Sequence, residues 1–307
     1  MNFNNIFTQI LVLFLLILIG YMCRYKSLLD KHTTTGLTKL VMNLFLPSMI
    51  ITSMQIDFNP TLLNDIFYLI VISIFMYLTT ILIAFLFKFF IKKDINCGVY
   101  QYVIIFSNVG FMGYPVIEAV LGKEAIFFTA IFNLPFNFFV FTIGTYLLNK
   151  HNNEYKFTVK SLISPPIVAV SIGIFLFILQ IKLPLPIFNT LDMLGSITTP
   201  LSMIVIGSLL ANSSIKETFS NKNLYLVSFI RLILVPYIIY LILNPYIKNP
   251  LLLGVPIVIS AMPAAANTAI MAKSYGANDK LASQAVFITT LASIITIPII
   301  STLFLTL

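Results

Sequence analysis

Charge is scarce in this chain. Of its 307 residues only 9% are Asp, Glu, Lys or Arg, while 59% are hydrophobic. Soluble domains carry about 25% charged residues, so a soluble globular fold is excluded. Acids are scarcest inside the apolar runs: Asp57, Asp65, Glu118, Glu124 and Asp192 stand near run ends, and the other five lie between runs. That leaves no buried carboxylate as an obvious proton relay and no acidic pair for a metal-dependent lipid transferase. Histidine is nearly absent as well, with His32 and His151 both between runs. The two cysteines, Cys23 and Cys97, end apolar runs without metal-ligand spacing, so both are expected as thiols rather than disulfide partners. Neither a G-x-S-x-G nor a P-loop pattern occurs, and no enzyme is expected. Nucleic acid is not expected as a partner despite the formal charge of +8, because the Lys and Arg sit in short loops as membrane orientation signals do. The runs do not alternate in polarity, which argues against a barrel. The N-terminus lacks the basic region of a signal peptide, so the first run is expected to be retained.

What remains is an all-α integral membrane protein. Ten apolar spans are expected, at 5–23, 36–55, 63–91, 97–120, 124–148, 163–180, 189–212, 223–243, 250–272 and 280–306. A polar loop at 149–162 divides them into a five-helix half, 1–148, and a second half, 163–307. Fourteen Lys and Arg fall in the odd-numbered loops and three in the even ones. That bias predicts a multi-pass protein with cytoplasmic odd loops and both termini outside. With five spans per half, the second repeat must be inverted relative to the first.

Two spans carry helix-breaking residues where a membrane helix should run on. Span 4 contains Ser107–Pro115, with Asn108, Gly110, Gly113 and Pro115; span 9 contains Ala261–Thr268, with Pro263, Asn267 and Thr268. An offset of 153 lays Asn108–Pro115 on Ala261–Thr268. Freed backbone groups cannot turn to water in lipid, so such breaks must be packed in protein or line a cavity. Paired interruptions in corresponding spans point to a transporter's binding site, where helix N-termini and amides could hold an anion. The plainer reading is a pair of proline kinks packed on small residues. Arg231 is the one basic residue inside a span, nine residues past Lys222, and so either faces a cavity or partner or snorkels to the headgroups. Asn43, Asn133, Asn137 and Gln284 are polar within spans 2, 5 and 10, where they could touch substrate or bridge helices.

These residues resemble the auxin efflux carrier family, and the likeness runs nearly end to end. It begins at Gly20, Tyr21 and Leu28–Asp30, and continues through Asn43-Leu-Phe-Leu-Pro47 and Asn108-x-x-x-Met112-Gly113-x-Pro115. It closes with Ala261-Met-Pro263 and Ala272-Lys-Ser-Tyr275. The resemblance implies a fold related to the bile acid:sodium symporters, with helices 4 and 9 broken and crossing at the substrate site. Helices 1, 2, 6 and 7 would form a scaffold, through which a homodimer could form, and helices 3–5 and 8–10 a transport core. It implies a plasma-membrane secondary carrier of a small organic anion, a carboxylate such as malate, malonate or an auxin-like acid, moved by alternating access. Thr268 departs from the plant pattern, which has a second proline there. No cofactor is expected; a coupling ion, Na+ or H+, is left open. A ligand sensor or an anion channel on the same fold is the alternative.

Overall fold

A computed structural model describes residues 3–57, 59–91, 95–149, 163–211 and 215–305. The expected loop beyond 149, with His151, Lys150, Lys156 and Lys160, lies outside the described residues, as do Lys92 and Lys93. Every expected apolar span is helical, and no strand occurs among the described residues. Seven helices are long and apolar enough to cross a membrane, and three more are apolar but shorter.

In chain order these are α1 (Phe3–Tyr25), α2 (Lys31–Ser53), α3 (Pro60–Phe87), half-helices α4a (Cys97–Ile105) and α4b (Val109–Leu121), α5 (Ala125–Leu148) and α6 (Pro165–Ile178). There follow α7 (Leu185–Leu210), α8 (Lys222–Leu243), half-helices α9a (Pro250–Ser260) and α9b (Thr268–Ser274), and α10 (Asp279–Leu305). A short helix, Ile215–Ser220, precedes α8. Asp30 starts α2 as an N-cap, accepting from the Thr33 N–H at 2.6 Å. That bond holds its carboxyl below the usual carboxylate range.

The connections fall into two sets. Lys182 pairs with Asp57 at 2.8 Å and Leu183 N–H donates to Gln55, joining the α2–α3 and α6–α7 connections. Asn278 donates to Asn96, joining the α3–α4a and α9b–α10 connections. Even-numbered connections thus meet even ones and odd meet odd, as they must if successive helices alternate in direction.

Packing sorts the helices into two groups. α1 lies along α7, and α2 packs on α6 and α7; α3, α4, α5, α8, α9 and α10 pack mainly among themselves. Small residues let backbones approach in the first group. A Cβ at Gly20 would overlap the Ile204 carbonyl of α7, and one at Gly207 would overlap the Ile17 carbonyl of α1.

Three prolines that might have broken helices do not. Pro47, Pro115 and Pro236 each follow a turn of wide π geometry, at Val41–Phe45, Val109–Gly113 and Ile230–Leu234. A proline has no N–H to donate and crowds the carbonyl four residues back, and the wider turn relieves both problems without opening the helix.

Candidate functional site

The chain unwinds at residues 106–108 between α4a and α4b, and at 261–267 between α9a and α9b. The two open stretches meet as a short antiparallel bridge, Ser107 opposite Ala264. Asn108 N–H donates to the Pro263 carbonyl at 2.8 Å, and Ala265 N–H donates to the Phe106 carbonyl at 3.0 Å. Ala264 N–H donates to Thr289 Oγ1 on α10. Each break therefore satisfies backbone groups of the other, which is what lets both survive away from water.

The break in span 4 is shorter and earlier than expected. Phe106 is extended and Asn108 caps the new helix, whereas Gly110, Gly113 and Pro115 are all helical in α4b. The 153-residue offset consequently pairs a mostly helical stretch with an open one. Gly113 instead serves close packing, since a Cβ there would lie 2.9 Å from Ile259 Cδ1 on α9a. In span 9 the break does fall around Pro263.

A cavity of about 320 Å³ lies beside the crossing. The open stretches contribute Ser107, Asn108, Ala265 and Asn267; α2 contributes Met42 and Leu46; α5 contributes Asn133, Asn137 and Phe141. The start of α6, from Ser164 to Val170, closes another wall. Among the described residues, none that lines it is charged. Among the expected site residues, Asn108, Gly110, Asn137 and Asn267 line this space. Pro263 takes part through its carbonyl, and Thr268 is buried at the first turn of α9b with its hydroxyl donating to the Ala265 carbonyl.

Besides Gly113 and Pro115, which are helical in α4b, three expected residues sit off the lining. Asn43 is exposed on α2, where its neighbour Met42 takes the cavity side. Gln284 is buried on α10 away from the lining. Arg231 is 1% exposed and does not snorkel. It donates to three carbonyls, Ile104 at 3.0 Å, Met262 at 3.0 Å and Ile259 at 3.5 Å, behind the cavity rather than in it.

Polar capacity at the cavity is not exhausted. Asn108 Oδ1 accepts from Phe111 N–H, but its Nδ2 has no partner among the described residues although the residue is only 3% exposed. Ser107 Oγ and Asn133 Oδ1 are likewise buried without partners among the described residues. Asn137 is both bridge and lining, since its Nδ2 donates to Ser164 Oγ at 2.9 Å. Unsatisfied buried donors are costly, and their cost falls when a ligand accepts from them.

Asn133 belongs to the site because α5 is itself interrupted by a turn at 133–135. The signal was Pro135, two residues beyond an asparagine in an apolar span. Ser164 and Tyr114 carried no such signal. Gly110 tests how the glycines matter. An added methyl would meet only Met42, at 3.6 Å and beyond, which is ordinary contact. Gly110→Ala is expected to fold normally and to change ligand affinity by no more than about threefold, as a titration of the purified variant would show.

The profile of a family described as membrane transport protein matches residues 5–301. The chain belongs to that family. It is the auxin efflux carrier family of the sequence resemblance. The chain is 26% identical over 295 residues to an uncharacterized transporter of Methanocaldococcus jannaschii, covering 94% of this chain and 95% of that one. It is 25% identical over 299 residues, with the same coverage, to an uncharacterized transporter of Methanothermobacter thermautotrophicus. A Rhizobium meliloti protein whose name proposes malonate transport is 25% identical over 201 residues, covering 62% of each chain. A membrane transporter is what this family membership establishes.

Proposed function

We propose that the protein is a secondary carrier of small organic anions in the plasma membrane, working by alternating access at the crossing of helices 4 and 9. The observation that carries this reading is the pair of buried, unpartnered groups Asn108 Nδ2 and Ser107 Oγ at the start of α4b, on residues lining the cavity. The N-terminus of a 13-residue half-helix adds about half a unit of positive charge beside them. A carboxylate supplies the acceptors these donors lack.

The packing supports a five-plus-five inverted repeat. α1 packs on α7 as α6 packs on α2, and α3 meets α4a and α9a as α8 meets α9a and α4a. α5 packs on α9a as α10 packs on α4a. In this reading α1, α2, α6 and α7 are the scaffold and the other helices move against it. The Lys and Arg bias puts the odd loops in the cytoplasm and both termini outside.

The uncharged lining favours one carboxylate over two. A second negative charge would have no cation to meet among the described residues, and burying an unpaired charge is costly. Malonate, named for the Rhizobium meliloti relative, would then enter best with one carboxyl protonated. Titration calorimetry at neutral pH with butyrate, benzoate, malonate and malate tests this. Benzoate or butyrate is expected to bind at least about tenfold tighter than either dicarboxylate, a difference of about 1.4 kcal/mol. Tighter binding of a dicarboxylate would refute the single-charge reading.

A further inference from the structure

Arg231 does something the anion site does not need. A charged side chain within the membrane is expensive and is retained where it meets a specific partner. The hydrogen-bond acceptors of Arg231 among the described residues are carbonyl oxygens: Ile104 in the last turn of α4a, Ile259 in the last turn of α9a, and Met262 in the open stretch that follows. Helix ends leave carbonyls short of intrahelical donors, because the chain that should supply them has turned away. The Ile259 carbonyl keeps a tight-turn bond from Met262 N–H at 3.2 Å and takes the guanidinium as a second donor. The amide four residues after Ile104 is that of Asn108, and it is committed to Pro263. Both helix ends also carry partial negative charge. In carriers with broken helices, such carbonyl ends and unwound backbone are where coupling cations sit.

We infer that the Arg231 guanidinium is a resident cation, fixed in the place where a mobile coupling cation would otherwise bind, so that the crossing is assembled without sodium. The widened turn ahead of Pro236 includes Arg231, so the side chain that reaches both half-helices is carried on α8 rather than on either broken helix. One positive charge spans both ends at once. Neutralisation is thus built into the chain and leaves the cavity side free for the anion. This inference rests on the carrier reading for its consequence, independence from sodium during transport. Its structural content stands apart from any substrate.

The test is the unfolding temperature of the purified full-length protein in sodium chloride and in choline chloride at equal ionic strength, with no substrate added. The wild-type value is expected to be the same in both salts. Arg231→Met is expected to unfold at lower temperature in choline and to recover by about 5–10 °C in excess sodium or guanidinium ion, because the emptied carbonyls then take a cation from solution. A comparable sodium-dependent rise in the wild type would overturn the inference. So would an Arg231→Met protein that is destabilised but indifferent to both cations, since the arginine would then be only a packing element. The wild-type comparison decides the matter even if Arg231→Met cannot be purified. Failure to bind any carboxylate would count against the anion site and not against this assignment.

Discussion

Asn108→Ala is expected to weaken carboxylate binding by about 10- to 100-fold, because a hydrogen bond to a charged group contributes about 1.5–3 kcal/mol. The same side chain caps α4b through Oδ1, so the variant also loses about 1 kcal/mol of helix stability. Asn108→Asp separates the two effects. The aspartate keeps an acceptor for the Phe111 N–H and so retains the cap, but it replaces the free Nδ2 donor with negative charge. It is expected to remain folded, at some cost in stability for the buried charge, and to bind no carboxylate. Calorimetric titration with benzoate, beside size-exclusion profiles of both variants, checks this. Wild-type affinity in Asn108→Asp would move the anion away from the crossing.

The other large effect concerns the seam between α1 and α7. Gly207 faces the Ile17 carbonyl and Gly20 faces the Ile204 carbonyl, in each case closer than a side chain allows. These are backbone contacts, with no flexible side chain to move aside. Gly207→Val is therefore expected to force the helices apart and destabilise the protein by about 3 kcal/mol or more, read as a lowered unfolding temperature or loss of a monodisperse peak. Gly36 on α2 has nothing within 4 Å of an added Cβ, so Gly36→Ala is the control. It is expected to be neutral or slightly stabilising, since alanine is the better helix former. An unperturbed Gly207→Val would show that α1 and α7 are not closely packed in the membrane.

Much of this was legible in the sequence, for different reasons in different places. The ten apolar segments are helical over most of their length, because length and composition leave a backbone away from water few alternatives. The break at Pro263 was legible, since proline and a run of small residues coincide there. The break in span 4 was misplaced because Pro115 and its glycines look disruptive, yet a wide turn absorbs the proline. The residues that open the chain are Phe106 to Asn108, where capping outweighs propensity. Arg231 could not be resolved from sequence, because its partners are carbonyls, which every residue has. Asn43 and Met42 are neighbours on α2, and only the packing of that helix decides which of them faces the cavity.

Counterflow in proteoliposomes tests the central reading most directly. Vesicles loaded with unlabelled benzoate and placed in trace radiolabelled benzoate should accumulate label through the wild-type protein, and Asn108→Asp vesicles should not exceed protein-free ones. Wild-type vesicles that take up no more label than empty ones would contradict a carrier. If the purified protein nonetheless bound benzoate, the site would belong to a sensor instead.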